Sequence, residues 1–193
     1  MQRSEIISAA AQIFRVKGYQ AASMQDIADA VHLQKASLYH HVESKQEILL
    51  TILNQALDLL IADMQVVLGS DLPSDEKLRE AIRVYVSRLA EDPDLAAVLL
   101  LEHRSLEPEL LERHIRRRDR YERLWRDLIR QGVEDGCFRE LDEKITSFAL
   151  LGIQNWMITW FRRSGGLKAE ALAEIFTNLV LQGMSPRQGS IGK

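Results

Sequence analysis

Residues 9–49, AAAQIFRVKGYQAASMQDIADAVHLQKASLYHHVESKQEIL, decide the fold. Their apolar residues recur at helical spacing: Ile13 and Phe14 join Ile6 and Ala10 on one face of a first helix. Gly18 then supplies a left-handed stop. Ser23-Met-Gln-Asp26 opens a second, short helix, with Ser23 as its cap and Asp26 in the first turn. A break at 32–34, with His32 as a turn residue, precedes a third helix from 35 to about 42. Ser44-Lys-Gln-Glu47 reads as a capping box that opens a long fourth helix, 45–68. Two short helices across a three-residue break, backed by a first helix, make a helix-turn-helix. Ile27, Ala28, Val31, Leu38 and Val42 must then point inward. The rest of the third helix (Lys35, Ser37, Tyr39, His40 and His41) stays polar and donor-rich, a face that suits a DNA major groove. Tyr39 offers a rigid hydroxyl to a phosphate. Lys45 sits at a helix N-terminus, where free N–H groups also favour an anion.

Outward from this stretch the helical period continues, and no segment sustains strand alternation, so the chain is expected to be all-α. Further helices are expected at 74–91, 93–103, 107–135, 142–164 and 168–184. Asp92-Pro93 makes a cap with proline at the first helical position, Gly136 stops the longest helix, and Gly165-Gly166 separates the last two. The expected organisation is a DNA-binding domain at 1–50, a ligand-binding and dimerisation domain at 51–185, and a flexible Pro/Gly/Ser-rich tail at 186–193. The boundary falls inside the fourth helix, so both domains share one element.

Composition narrows the function. With 46% apolar and 27% charged residues among 193, the chain can bury a core, which excludes a disordered protein. A net charge of −3 means that any nucleic-acid contact must be local. Cys137 is the single cysteine, which excludes an intrachain disulfide and reads as a packing residue. Residues 145–161 are the most apolar stretch, but it is too short for a comfortable span and carries Thr146, Ser147, Gln154 and Asn155. A cytoplasmic location without membrane attachment is expected.

The quoted stretch resembles the TetR family of transcription regulators. The resemblance rests on the Phe…Lys-Gly-Tyr end of the first helix, Ser-Met-x-x-Ile-Ala, the Leu-Tyr-x-His core of the third helix, and Ser-Lys-x-x-Ile-Leu. Ala36 stands where that family commonly has glycine, and Val42 where it commonly has phenylalanine. The resemblance implies a homodimeric, ligand-responsive repressor of double-stranded operator DNA, not an enzyme, with no cofactor. It implies base-reading positions at Gln34, Lys35 and Ser37, and phosphate contacts from Ser23, Tyr39, His40 and Lys45.

It further implies that the last two long helices pair with their copies in a second chain. Their residues support this: Phe148, Gly152, Trp156 and Trp160 line one side of the first, and Ile175, Phe176 and Leu179 one side of the last. An effector pocket is expected from the apolar run LAAVLLL at 95–101 and from the apolar side of the long central helix. Leu99, His103, Arg104, Arg117, Arg120, Trp125 and Trp156 are its candidate contacts. The arginines at 113, 116, 117, 118, 120, 123 and 126 form either a salt-bridged solvated face or an anion site at the pocket mouth. Residues 99–129 and 155–184 resemble family members that sense acyl-CoA and govern lipid degradation. A small apolar effector, an acyl-CoA, is the expected ligand; the alternative is a repressor of a multidrug-efflux or xenobiotic-response operon. No catalytic constellation stands out, and Glu102–His103 and Glu112–His114 lack the i, i+4 spacing of a metal site.

Overall fold

The computed structural model describes residues 3–185; the tail expected at 186–193 lies outside them. Among the described residues there are helices and turns and no strand. The helices are α1 (Arg3–Lys17), α2 (Met24–Ala30), α3 (Lys35–Leu38), α4 (Lys45–Leu68), α5 (Ser74–Glu91), α6 (Pro93–Ala97), α7 (Pro108–Glu134), α8 (Glu143–Asn155), α9 (Met157–Trp160) and α10 (Ala169–Met184). A π-helical turn, Val98–Glu102, and a 3-10 turn, His103–Ser105, lie between α6 and α7.

The chain forms two compact units. Among the described residues the first comprises 3–59 and 92–119, the second 60–91 and 120–185, so α4 and α7 each contribute to both. In the first, α1 packs against α2 and α6, and α2 against α3. In the second, α10 lies along α5, and α8 touches both. By length and composition alone α4 could cross a membrane. Most of its apolar residues are instead core: Ile48, Leu49, Ile52, Leu53, Leu57 and Met64 are almost wholly buried.

Local chemistry explains the helix ends. Gly18 (φ +78°) and Gly136 (φ +73°) take the left-handed conformation that ends α1 and α7 without a Cβ clash. Asp92 and Asp142 cap α6 and α8 by accepting from the N–H groups of Leu95 and Ile145. Three expectations need correction. The third helix is one turn, Lys35–Leu38, continued only by hydrogen-bonded turns that bring the Val42 N–H onto the Leu38 carbonyl. The helix expected at 93–103 is α-helical only to Ala97, then widens into the π turn. The helix expected at 142–164 breaks at Trp156 and ends at Trp160. There the Thr159 hydroxyl bonds back to the Trp156 carbonyl, and Phe161 is extended, its carbonyl accepting from Arg162.

Candidate nucleic-acid interface

The helix-turn-helix stands on an apolar base. Phe14, Ile27, Ala28 and Leu38 are fully buried, with Val42 and Val31 nearly so. Phe14 also meets Tyr19 edge-to-face at 5.1 Å. The turn between α2 and α3 is tight. His32 adopts φ +54°, a left-handed conformation that histidine tolerates better than β-branched residues, and the Leu33 N–H reaches the Ala28 carbonyl at 2.9 Å. This reversal projects α3 outward.

α2 begins with a complete capping box. The Ser23 hydroxyl accepts from the Asp26 N–H, and the Asp26 carboxylate accepts from the Ser23 N–H at 2.8 Å. Lys17 binds the same carboxylate at 2.6 Å, tying the end of α1 to the start of α2. That bond, then the two from Ser23, holds Asp26 down at about 2. Ser44 accepts from the Glu47 N–H at 3.0 Å, while the Glu47 carboxylate reaches back to the Glu43 N–H.

The expected DNA-facing residues divide by environment. Gln34, Lys35 and His40 are exposed, Tyr39 is 47% exposed, and Ser37 is half-buried beside them. Ser23 is exposed but engaged in its cap. Lys45, the expected phosphate contact at the start of α4, is half-buried. Its ammonium donates to the carbonyls of Tyr19 (2.9 Å) and Ala22 (2.7 Å) and lies 4.3 Å from the centre of the Tyr19 ring. It clamps the α1–α2 connection onto α4. Lys45→Met should therefore lower stability by about 2 kcal/mol, the scale of hydrogen bonds from a charged donor. Urea unfolding should show a lower midpoint at unchanged slope, and an unchanged midpoint would discount the clamp.

A second tie joins α4 to the segment after the π turn. Gln46 donates its amide to the Ser105 carbonyl (2.9 Å) and accepts from the Glu107 N–H (3.1 Å). Glu102 approaches Gly18 from the same segment. Sequence reasoning missed Gln46, because a polar residue in a helix's first turn looks like any solvated one until the partner loop is placed.

The expected effector contacts fall on both units. Leu99, His103, Arg104 and Arg117 belong to the first unit, and Arg120, Trp125 and Trp156 to the second. Leu99 is buried, and Arg117 is ion-paired with Asp58. Trp125 is fully buried against Tyr85 and Tyr121, while Trp156 is 67% exposed. Burial pushes Tyr85 and Tyr121 well up, so both remain neutral phenols. The described residues enclose at least two cavities. One, of about 550 Å³, is lined by α1, α4 and α6 residues including Ile7, Ala11, Leu59 and Leu95. Another, of about 240 Å³, lies between the end of α5 and residues 161–170. None of the expected effector contacts lines either. Part of the arginine run is a salt-bridged face: Arg116 pairs with Glu112, Arg117 with Asp58, and Arg126 with Glu122. Among the described residues no group of three or more potential metal ligands converges.

On the second unit, Phe148, Trp156, Trp160, Ile175 and Leu179 are all 44–67% exposed, and Gly152 is exposed among them. Ile145 (61%) extends the patch along α8. Phe176, expected on the same face, is instead buried within the unit.

Known proteins match this architecture along nearly its whole length. Residues 6–52 match the family described as bacterial regulatory proteins, tetR family, and residues 71–184 match the tetracyclin repressor-like C-terminal domain. The HTH-type transcriptional repressor KstR2 of Rhodococcus jostii (strain RHA1) is 30% identical over 188 residues, 95% of this chain and 91% of that protein. Among solved structures, the TetR family regulator PfmR from Thermus thermophilus is 40% identical with a TM-score of 0.86, covering 92% of this chain and 97% of that one. AibR, solved in complex with isovaleryl coenzyme A and operator DNA, is 27% identical with a TM-score of 0.86, covering 93% and 97%. With both halves matched and the exposed α3 face in place, this chain belongs to the TetR family of DNA-binding transcriptional repressors, which are not enzymes.

Proposed function

We propose that the protein is a cytoplasmic homodimeric repressor whose hold on operator DNA is released by an acyl thioester of coenzyme A, in control of lipid metabolism. The observation that carries this reading is the outward donor face of α3, standing on an apolar base that leaves those side chains nothing to pack against. Residues 1–50 bind DNA, and 51–185 bind the effector and dimerise. Gln34, Lys35 and Ser37 read base edges; Ser23, Tyr39 and His40 hold phosphates. Lys45 positions this surface through its carbonyl clamp, and its third N–H serves a phosphate. The exposed side of α8 and α10 joins two copies, so that paired recognition helices enter major grooves about one helical turn apart. The likeness to a regulator solved with isovaleryl coenzyme A supports the ligand class.

Release requires the effector to prefer the conformation that does not bind DNA, with a coupling of about 1–3 kcal/mol on the usual scale. The test is an electrophoretic shift with DNA from the protein's own upstream region, challenged with acyl-CoA thioesters and with lipophilic cations. Release by thioesters alone supports the reading. Release by cations alone replaces it with a xenobiotic-responsive repressor.

A further inference from the structure

The segment that Gln46 ties to α4 carries a cluster that the DNA-binding surface does not use. His103 begins the 3-10 turn directly after the π turn, and its ring lies 5.9 Å from that of His114 on α7. His114 is only 1% exposed, and its Nδ1 has no partner. A buried polar atom left unpaired is costly, and within a structured site it points to a missing partner. Arg118 follows His114 by four residues, on the same face of α7. Arg104 follows His103. Both arginines are exposed.

Unlike Arg116 and Arg117, these two are poorly neutralised. Arg118 has only a 3.5 Å approach to its neighbour Asp119, and no ion pair engages Arg104 among the described residues. Burial, then Arg118 and Arg104, lowers His103; burial, then His103 and Arg118, brings His114 down to about 4. A π turn is an uncommon element that recurs at functional sites, and this one sets the register at which His103 and Arg104 emerge.

We propose that Arg104 and Arg118, with the His103–His114 pair behind them, form an anion site that takes a phosphate group of the effector. Resting on the effector reading above, it identifies which part of the arginine-rich region recognises the anionic end of a coenzyme A thioester: two guanidinium forks suited to phosphate oxygens. The His103 ring is already held by the Leu99 and Leu100 carbonyls, which fixes it beneath the arginines, and the unpartnered Nδ1 belongs to His114. Because Ser105 and Glu107 are bonded to Gln46, a charge bound here acts on the segment tied to the first turn of α4.

The test uses the full-length protein with two probes, pyrophosphate and octanoyl-CoA, followed by proton NMR of the histidine rings and by titration calorimetry. Both probes are expected to move the His103 and His114 resonances while leaving those of His32, His40 and His41 in place. Arg104→Gln and Arg118→Gln, at exposed positions that do not endanger folding, should each weaken octanoyl-CoA about tenfold or more, the usual scale for losing a charge-assisted bond. Unmoved His103 and His114 resonances, or unchanged affinity in both variants, overturn the site. If octanoyl-CoA releases operator equally from wild type and variants, the proposed function stands and this site falls. If pyrophosphate binds here as expected but no thioester releases operator, the anion site stands without its assigned effector.

Discussion

Glutamate at both Trp156 and Leu179 is expected to yield a folded monomer that no longer holds operator DNA. Both side chains are more than 60% exposed on the apolar side of α8 and α10, so neither supports the core of its own subunit. In a two-fold interface each substitution is present twice, which places four carboxylates in a desolvated patch. An uncompensated buried charge costs several kcal/mol, and each large apolar side chain removed forfeits about 1.5–3 kcal/mol of burial. Together these exceed what a standard dimer can absorb. Sedimentation should give the monomer mass with the helical signal of the wild type. Operator affinity should collapse, because one recognition helix alone binds with roughly the square root of the paired affinity. A dimer that survives both substitutions would remove α8 and α10 as the interface. Phe176→Glu should behave differently: that side chain is buried inside the subunit, so the expected outcome is loss of folding and not clean dissociation.

The second large effect is expected at the DNA surface. A double variant, Lys35→Ala with Tyr39→Phe, should bind operator about a thousandfold more weakly. Each lost contact is worth about 1 kcal/mol at the low end of the usual range, and two contacts in each of two subunits give about 4 kcal/mol. Stability should not change, because both side chains are exposed and Tyr39→Phe keeps the ring. The measurement is operator binding across a salt series. Loss of affinity at all salt concentrations with an unchanged slope marks Lys35 as a base reader, whereas a shallower slope marks it as a phosphate contact. Affinity equal to wild type would move the DNA surface away from α3.

The helix-turn-helix was legible in the chain because every level agreed. Ile27, Ala28, Val31, Leu38 and Val42 hold the spacing that packs two short helices on a third, and all five are buried. Ser23, Gly18 and Gly136 announced helix ends by chemistry that operates within a few residues, and their geometry matches. The apolar excess on α8 and α10 was also visible, because neither helix can hide that much surface on one side. The environment of individual side chains in the second half was less legible. A basic run reads the same whether its partners lie one turn away, as Glu112 lies from Arg116, or on another helix, as Asp58 lies from Arg117. Helical spacing likewise could not say that Trp125 would be wrapped by Tyr85 and Tyr121 while Trp156 stood in the open.

The amino-acid order alone determined the helical class, the position of the DNA-binding unit and most helix ends, since these depend on periodicity and on caps reaching three or four residues. Only the tertiary structure decided that Lys45 clamps carbonyls, that Gln46 ties α4 to the turn at 105–107, and that His114 is buried beside His103. Each of these depends on groups 11 to 61 residues apart meeting at hydrogen-bond or van der Waals range, and such encounters are set by how whole helices pack, which no local pattern encodes.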